Sequence, residues 1–267
     1  MLIGKAAGET RISYATPEVI AVRGRDLCRD LIGGMSFTAY FFLLVTGEAP
    51  TASQTKFLDA VLVSIAEHGL VPNVVASRMT FAAEPSALQA AVAAGLLGCG
   101  SVVLGTSQVA GILIRDALAE ADRQAEDLAT VARSIVARYR TEGRRLPGFG
   151  HPLHHPVDPR TQRLFELADQ EGVAGRSVAF ARALDAAVNG AGGKPLPMNV
   201  SMAIPAVLLD IGFPLSVMRG IPLLARTASL IAHLAEETEH PIGFLMAHHA
   251  ESNIPFTGER IAERSTG

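Results

Sequence analysis

Helix-period apolar patterning runs through almost all of this 267-residue chain, and one stretch interrupts it. Segments 17–33, 35–46, 51–68, 72–81, 84–97, 101–120, 124–141, 159–171, 175–190, 197–211, 216–236 and 240–250 repeat apolar residues every three or four positions. That is the pattern of helices burying one face. No segment shows the two-residue alternation of a half-buried strand, and connections are short. The spacing therefore predicts an all-α fold. Pro85 falls in the first turn of its expected helix, where proline costs least. The interruption, 142–158, is rich in Gly and Pro. It separates an expected large helical domain, 1–158 with 216–267, from a small helical subdomain, 159–215, that could close over a ligand.

A 49% hydrophobic content with a net charge of −3 supplies a sizeable core and argues against a nucleic-acid partner. Alanine and leucine dominate while aromatics are only 5%, which permits close helix packing. Cys28 and Cys99 sit in apolar helical surroundings and form neither a metal pattern nor a disulfide framework, so a reducing, cytoplasmic setting is expected. The first ten residues lack the charged-then-apolar layout of a signal peptide. The apolar run 88–104 is broken by Gly95, Gly98 and Gly100, which favours a buried helix over a membrane span. There is no P-loop and no G-x-G-x-x-G after a strand, so nucleotide cofactors of those kinds are not indicated.

The interrupting stretch ends in P-G-F-G-H-P-L-H-H-P-V-D-P-R, residues 147–160. Asp158 is a good N-cap and Pro159 a good first helical residue, so Arg160 stands in the first turn of a helix. A guanidinium beside free backbone N–H groups makes an anion site. His151, in a glycine-bounded turn just before it, could act on whatever that anion is attached to. His154 and His155 invite a metal reading with His151, but no carboxylate or cysteine completes a set. His68 precedes Gly69 at the end of an amphipathic helix, where it could simply cap carbonyls; Asn73 and Ser77 lie one turn apart nearby. Arg226, His233 and Glu237 fall on one helical stripe within about 20–40° of each other, among Leu223, Leu224, Leu230, Ile231 and Leu234.

G-F-G-H-P-L followed by D-P-R resembles the signature loop of the citrate synthase superfamily, which includes citryl-CoA lyases. Further segments resemble it in family order: R-I-S at Arg11, R-G-R-D-L at 23–27, L-L-V-T-G-E-A-P-T at 43–51, E-H-G-L at 67–70, M-N-V at 198–200 and A-R-T-A-S-L-I-A-H-L-A-E-E at 225–237. The resemblance implies that His151 hydrogen-bonds the carbonyl or hydroxyl of the oxo-acid part, that His68 is a second active-site histidine, and that Arg160 and Arg226 hold carboxylates. It also implies coenzyme A binding, for which Arg144, Arg145 and Lys194 are phosphate candidates, with no other cofactor and no metal. A homodimer built through helices 84–118 is implied too, with Ala90, Ala91, Ala93, Ala94, Gly95 and Gly98 permitting close approach. Arg260 loosely resembles an arginine that the family contributes across the dimer.

Two positions depart from the family. The histidine of its G-P-L-H-G-G segment has no counterpart in G-S-V-V-L-G-T at 100–106, and the aspartate of its N-V-D motif is Ser201. A serine hydroxyl donates a hydrogen bond but is a poor base at neutral pH unless activated. Asp210, nine residues along the helix, faces the opposite side. Three readings follow. One is a lyase of the citryl-CoA type, with His68, His151 and Ser201 at the reacting atoms, releasing an acyl-CoA and a 2-oxo acid such as oxaloacetate. Another is a synthase-like acyl transfer or a decarboxylation of a different substrate. The third is a non-catalytic binder of CoA esters or carboxylates.

Overall fold

The computed structural model describes residues 8–100, 105–150, 154–190 and 195–259. Three short strands, β1 (Ser13–Ala15), β2 (Ile20–Val22) and β3 (Arg25–Asp26), come first. The helices that follow are α1 (Phe37–Thr46), α2 (Ala52–Ala66), α3 (Pro72–Ala83), α4 (Leu88–Leu97), α5 (Thr106–Gln124), α6 (Leu128–Thr141), α7 (Pro159–Gln170), α8 (Arg176–Gly190), α9 (Val200–Asp210), α10 (Gly220–Glu239) and α11 (Gly243–Asn253). They form two compact units, Met1–Ile65 with Ser101–Leu224, and Ala66–Gly100 with Ala225–Gly267.

The strands correct the helix expected over 17–33. Pro17 and the β-branched Val19, Ile20 and Val22 resist a helix. Arg23 and Gly24 take left-handed φ values of 51° and 76°, the geometry of a two-residue hairpin turn. The sheet is antiparallel in the order β1-β2-β3, with Ser13 opposite Val22 and Val22 opposite Arg25. Arg23 pins the hairpin to α1 by donating from Nε to the carbonyl of Leu44 at 3.0 Å. A single π-helical turn, Leu27–Leu31, follows, its first N–H groups capped by the Asp26 carboxylate.

In the first unit the α1 and α2 side chains Leu43, Phe57, Leu58 and Val61 are fully buried. The Phe42 and Phe213 rings pack with centroids 6.0 Å apart. α5 packs on α9, α6 on α8, and both α7 and α8 on α9. Gly111 brings α5 close to its neighbours: a Cβ there would lie 2.7 Å from Leu215 Cδ1 and 3.1 Å from Pro205 Cβ. Asp210, at the far end of α9, accepts from the N–H groups of Gly175, Ser177 and Val178 at 2.7, 2.9 and 3.0 Å. It is thereby committed to the start of α8, satisfying three of the donors that a helix N-terminus leaves open.

In the second unit α3 packs on α4 and on α11, with Phe81, Ala91 and Leu234 at the centre. Small residues again set the spacing, since a Cβ on Gly95 would meet both Leu230 methyls at 2.7 Å. α4 begins at Leu88 rather than at 84. The hydroxyl and N–H of Ser86 fold back on the Glu84 carboxylate, leaving Pro85 in a turn before the helix. The stretch Leu215–Glu239 is long and apolar enough by composition to cross a membrane. It buries Arg226, Ser229 and Glu237, which marks α10 as a core helix.

Candidate active site

The glycine loop of the first unit is built against the start of α9. The N–H of Gly150 donates to the Pro197 carbonyl at 2.8 Å, and that of Asn199 to the Gly148 carbonyl at 2.9 Å. These bonds zip Phe149 opposite Met198 as an antiparallel bridge. Gly148 and Gly150 both take positive φ, 78° and 82°, a region where a side chain is strained. A Cβ on Gly148 would also lie 2.6 Å from Met202 Cβ. Asn199 adds two further ties, donating Nδ2 to the Gly150 carbonyl at 2.7 Å and accepting at Oδ1 from the Ser201 N–H at 3.0 Å. The M-N-V motif thus caps α9 and holds the loop that leads to His151. His151 itself lies outside the described residues, as do Lys194, Arg260 and 101–104 of the departing segment.

Asp158 joins the other side of this arrangement. Its carboxylate is fully buried. It accepts from Arg160 Nε and N–H at 3.0 Å, from Arg160 Nη2 at 2.8 Å, and from the N–H of Val200 at 3.0 Å. Four donors satisfy both oxygens, so one carboxylate sets the Arg160 guanidinium and the first turn of α9, where Ser201 sits half-buried. Burial alone would raise the Asp158 pKa; the Arg160 hydrogen bonds and charge, with the two backbone N–H groups, hold it below the usual aspartate range. The sequence marks Asp158 as an N-cap. Its second role, tying the D-P-R segment to the M-N-V segment, is a contact across 42 residues that no local pattern reveals.

In the second unit His68 follows the end of α2 and is half-buried. Arg226, on α10, is 3% exposed. Burial pushes the Cys99 thiol up, against the opposing pull of the Arg226 charge. Ser77, one of the weaker candidates, is committed to packing, its hydroxyl donating to the Ala91 carbonyl at 2.8 Å. Asn73 is fully buried, and neither side-chain Oδ1 nor Nδ2 has a hydrogen-bond partner among the described residues. The stripe that carries Arg226 also carries His233 and Glu237, whose work is structural. Glu237 is paired with the buried Arg78 at 2.5 Å and accepts from the N–H groups of Ile242 and Gly243, starting α11. Arg78 escaped the sequence reading because its partners lie some 155 to 162 residues away.

The CoA candidates differ from these. Arg144 is exposed, stacked 4.7 Å over the Tyr139 ring and bonded to Glu142 at 2.8 Å. Arg145 is exposed beside it. The first unit also holds a cavity of about 310 Å³ lined by Val157, Thr161, Phe165, Asp185 and Met198, among others. Burial raises the pKa of Asp185 there, against a hydrogen bond from Asn189.

Residues 34–243 match the family model for the citrate synthase C-terminal domain. A citryl-CoA lyase of Hydrogenobacter thermophilus has the same fold with a TM-score of 0.84, is 28% identical, and is covered over 98% of its length by 97% of this chain. An ATP citrate lyase of Methanothrix soehngenii, solved with citrate and coenzyme A, shares the fold at TM-score 0.76 and 19% identity, over 97% of this chain and 43% of that one. A citrate synthase homologue of Mycobacterium tuberculosis is 30% identical over 203 residues, 75% of this chain. The chain spans about half the length of the curated relatives it matches, 52% in that case. With its glycine loop, D-P-R and M-N-V segments folded onto one another and the family model covering most of its length, this chain belongs to the citrate synthase family.

Proposed function

We propose that this protein is a carbon–carbon lyase acting on a 3-hydroxy-3-carboxyacyl-CoA such as citryl-CoA, releasing an acyl-CoA and a 2-oxo acid such as oxaloacetate. One observation carries the reading: the fold likeness to a citryl-CoA lyase, at a TM-score of 0.84 and 28% identity, runs over 97% of this chain. The absence of the G-P-L-H-G-G histidine from residues 100–106 points away from an ordinary synthase and supports the same branch. In the cleavage, the substrate hydroxyl loses its proton as the C–C bond breaks. The bond electrons pass to the thioester as an enolate, whose methyl carbon then takes up a proton, so atoms and charge balance without another reactant.

In this reading His151 polarises the hydroxyl or carbonyl, His68 is the second acid–base group, and Arg160 and Arg226 each hold a carboxylate. Ser201 donates to the enolate oxygen from the first turn of α9, where the helix dipole also favours negative charge. Arg144, Arg145 and Lys194 are the proposed phosphate contacts of the CoA thioester, with no resident cofactor and no metal. The small subdomain 159–215 is proposed to close on the ligand.

A homodimer in the cytoplasm completes the proposal. Ala91 and Gly95 of α4 are buried within their own unit, but Ala90, Ala93 and Leu97 are exposed, leaving an apolar face for a second copy. A monomeric mass by light scattering at micromolar protein would contradict it. Mass spectrometry of products from a panel of carboxylated acyl-CoA substrates tests the chemistry. Release of a 2-oxo acid supports cleavage, loss of CO₂ means decarboxylation, and tight binding without turnover means a binding protein.

A further inference from the structure

His68 and Arg226 belong to the same compact unit, and one carboxylate connects the segments that carry them. Glu67 Oε1 accepts the N–H groups of His68 and Gly69 at 2.9 and 2.5 Å. Its Oε2 accepts the Ser229 hydroxyl at 2.5 Å and faces His233 Nε2 at 3.0 Å. Ser229 and His233 follow Arg226 on α10 and lie within about 60° of it around the helix. A glutamate one residue past the end of α2 is misplaced for the helix dipole, which favours cations there. Four partners offset that misplacement, and they explain why this carboxylate is held below the usual glutamate range. Burial pushes it up, while the Ser229 hydroxyl, the Gly69 N–H, the His233 ring and the His68 N–H pull it down.

The far side of His233 is also occupied. Its Nδ1 lies 3.4 Å from Arg78 Nη1 and 3.9 Å from the Glu236 carboxylate. Arg78 is anchored by Glu237, Glu236 and the His240 carbonyl at 2.5, 2.7 and 3.0 Å. A guanidinium offers only donors. In the neutral ring, Nδ1 facing it is therefore the acceptor, and the Nε2 proton points at Glu67.

We propose that Glu67 is a positioning residue that acts through His68: it fixes the turn carrying that ring and sets it against the α10 face that carries Arg226. The proposal rests on the lyase reading of His68. The test compares wild type, Glu67→Ala, Glu67→Gln, His68→Ala and the Glu67→Ala/His68→Ala double variant in citryl-CoA cleavage, each first checked for its folded far-ultraviolet spectrum. Glu67→Ala is expected to lower kcat about 10- to 100-fold with KM changed less than about threefold, and Glu67→Gln, which keeps an acceptor for the turn, to recover most of the loss. In the His68→Ala background, Glu67→Ala is expected to cost nothing further. Equal losses in both backgrounds, or an unchanged kcat, would overturn the proposal. If Glu67→Ala does not fold, Glu67→Met, which keeps the side-chain bulk without an acceptor, and its double variant with His68→Ala carry the same comparison. Should the wild type not cleave citryl-CoA, the lyase reading has failed, and positioning is then read from the His68 ring resonance in an NMR pH titration. A displaced midpoint in the Glu67 variant supports the proposal, and superimposable curves overturn it.

Discussion

A buried carboxylate with four donors, Asp158, organises the described half of the site in the first unit. Removing it takes the Asp158 carboxylate from the Arg160 guanidinium and leaves the Val200 N–H without its acceptor. Asp158→Ala is expected to cost about 3–5 kcal/mol, the range for breaking a buried ion pair by deleting one partner, measured by urea unfolding at neutral pH. The pH dependence has a definite sign. The folded-state pKa of Asp158 is depressed, so its contribution is fully present above the unfolded value of about 3.9 and is lost as pH falls through the folded value. The stability gap between wild type and Asp158→Asn should narrow in that acid window. A gap that stays constant down to pH 2 would contradict the assignment. At this scale the sequence is half legible. D-P-R announces a cap and an arginine, because capping is local. It is silent on the bond to Val200, as it is on Glu67 with Ser229 or Arg78 with Glu237, because those partners meet only when the helices have packed.

Helices were legible as elements because their apolar period repeats over ten or more residues, and α1, α2, α3, α7, α8, α9 and α11 lie where that period places them. The hairpin at 13–26 was not, since strands of two or three residues are too short for any alternation to register. The start of α4 was missed for another reason: the Ser86 hydroxyl bonding back to Glu84 competes with helix formation. Between elements, small residues set distance. Gly111 lets α5 approach Pro205 of α9, the helix whose first turn presents Ser201. Gly111→Val should therefore overpack this contact, destabilising the fold by about 1–3 kcal/mol. Thermal unfolding checks it, and an unchanged midpoint would mean that the α5–α9 contact yields without cost.

For the whole molecule, the family motifs are spread in order along the chain, and the fold likeness covers nearly all of it, so membership was legible from the sequence. The reaction was less so. The motif at 198–200 is followed by serine where the family has aspartate, and Asp210 cannot take over because it is spent on the start of α8. On the proposed lyase reading, this scaffold cleaves without that aspartate. Purified wild-type protein incubated with (3S)-citryl-CoA, beside a Ser201→Asp variant, tests it most directly, with products followed by mass spectrometry. Acetyl-CoA and oxaloacetate are expected from the wild type. A silent wild type with activity gained by the variant would contradict it, and would mean that the scaffold is intact but this chain has left the citryl-CoA reaction.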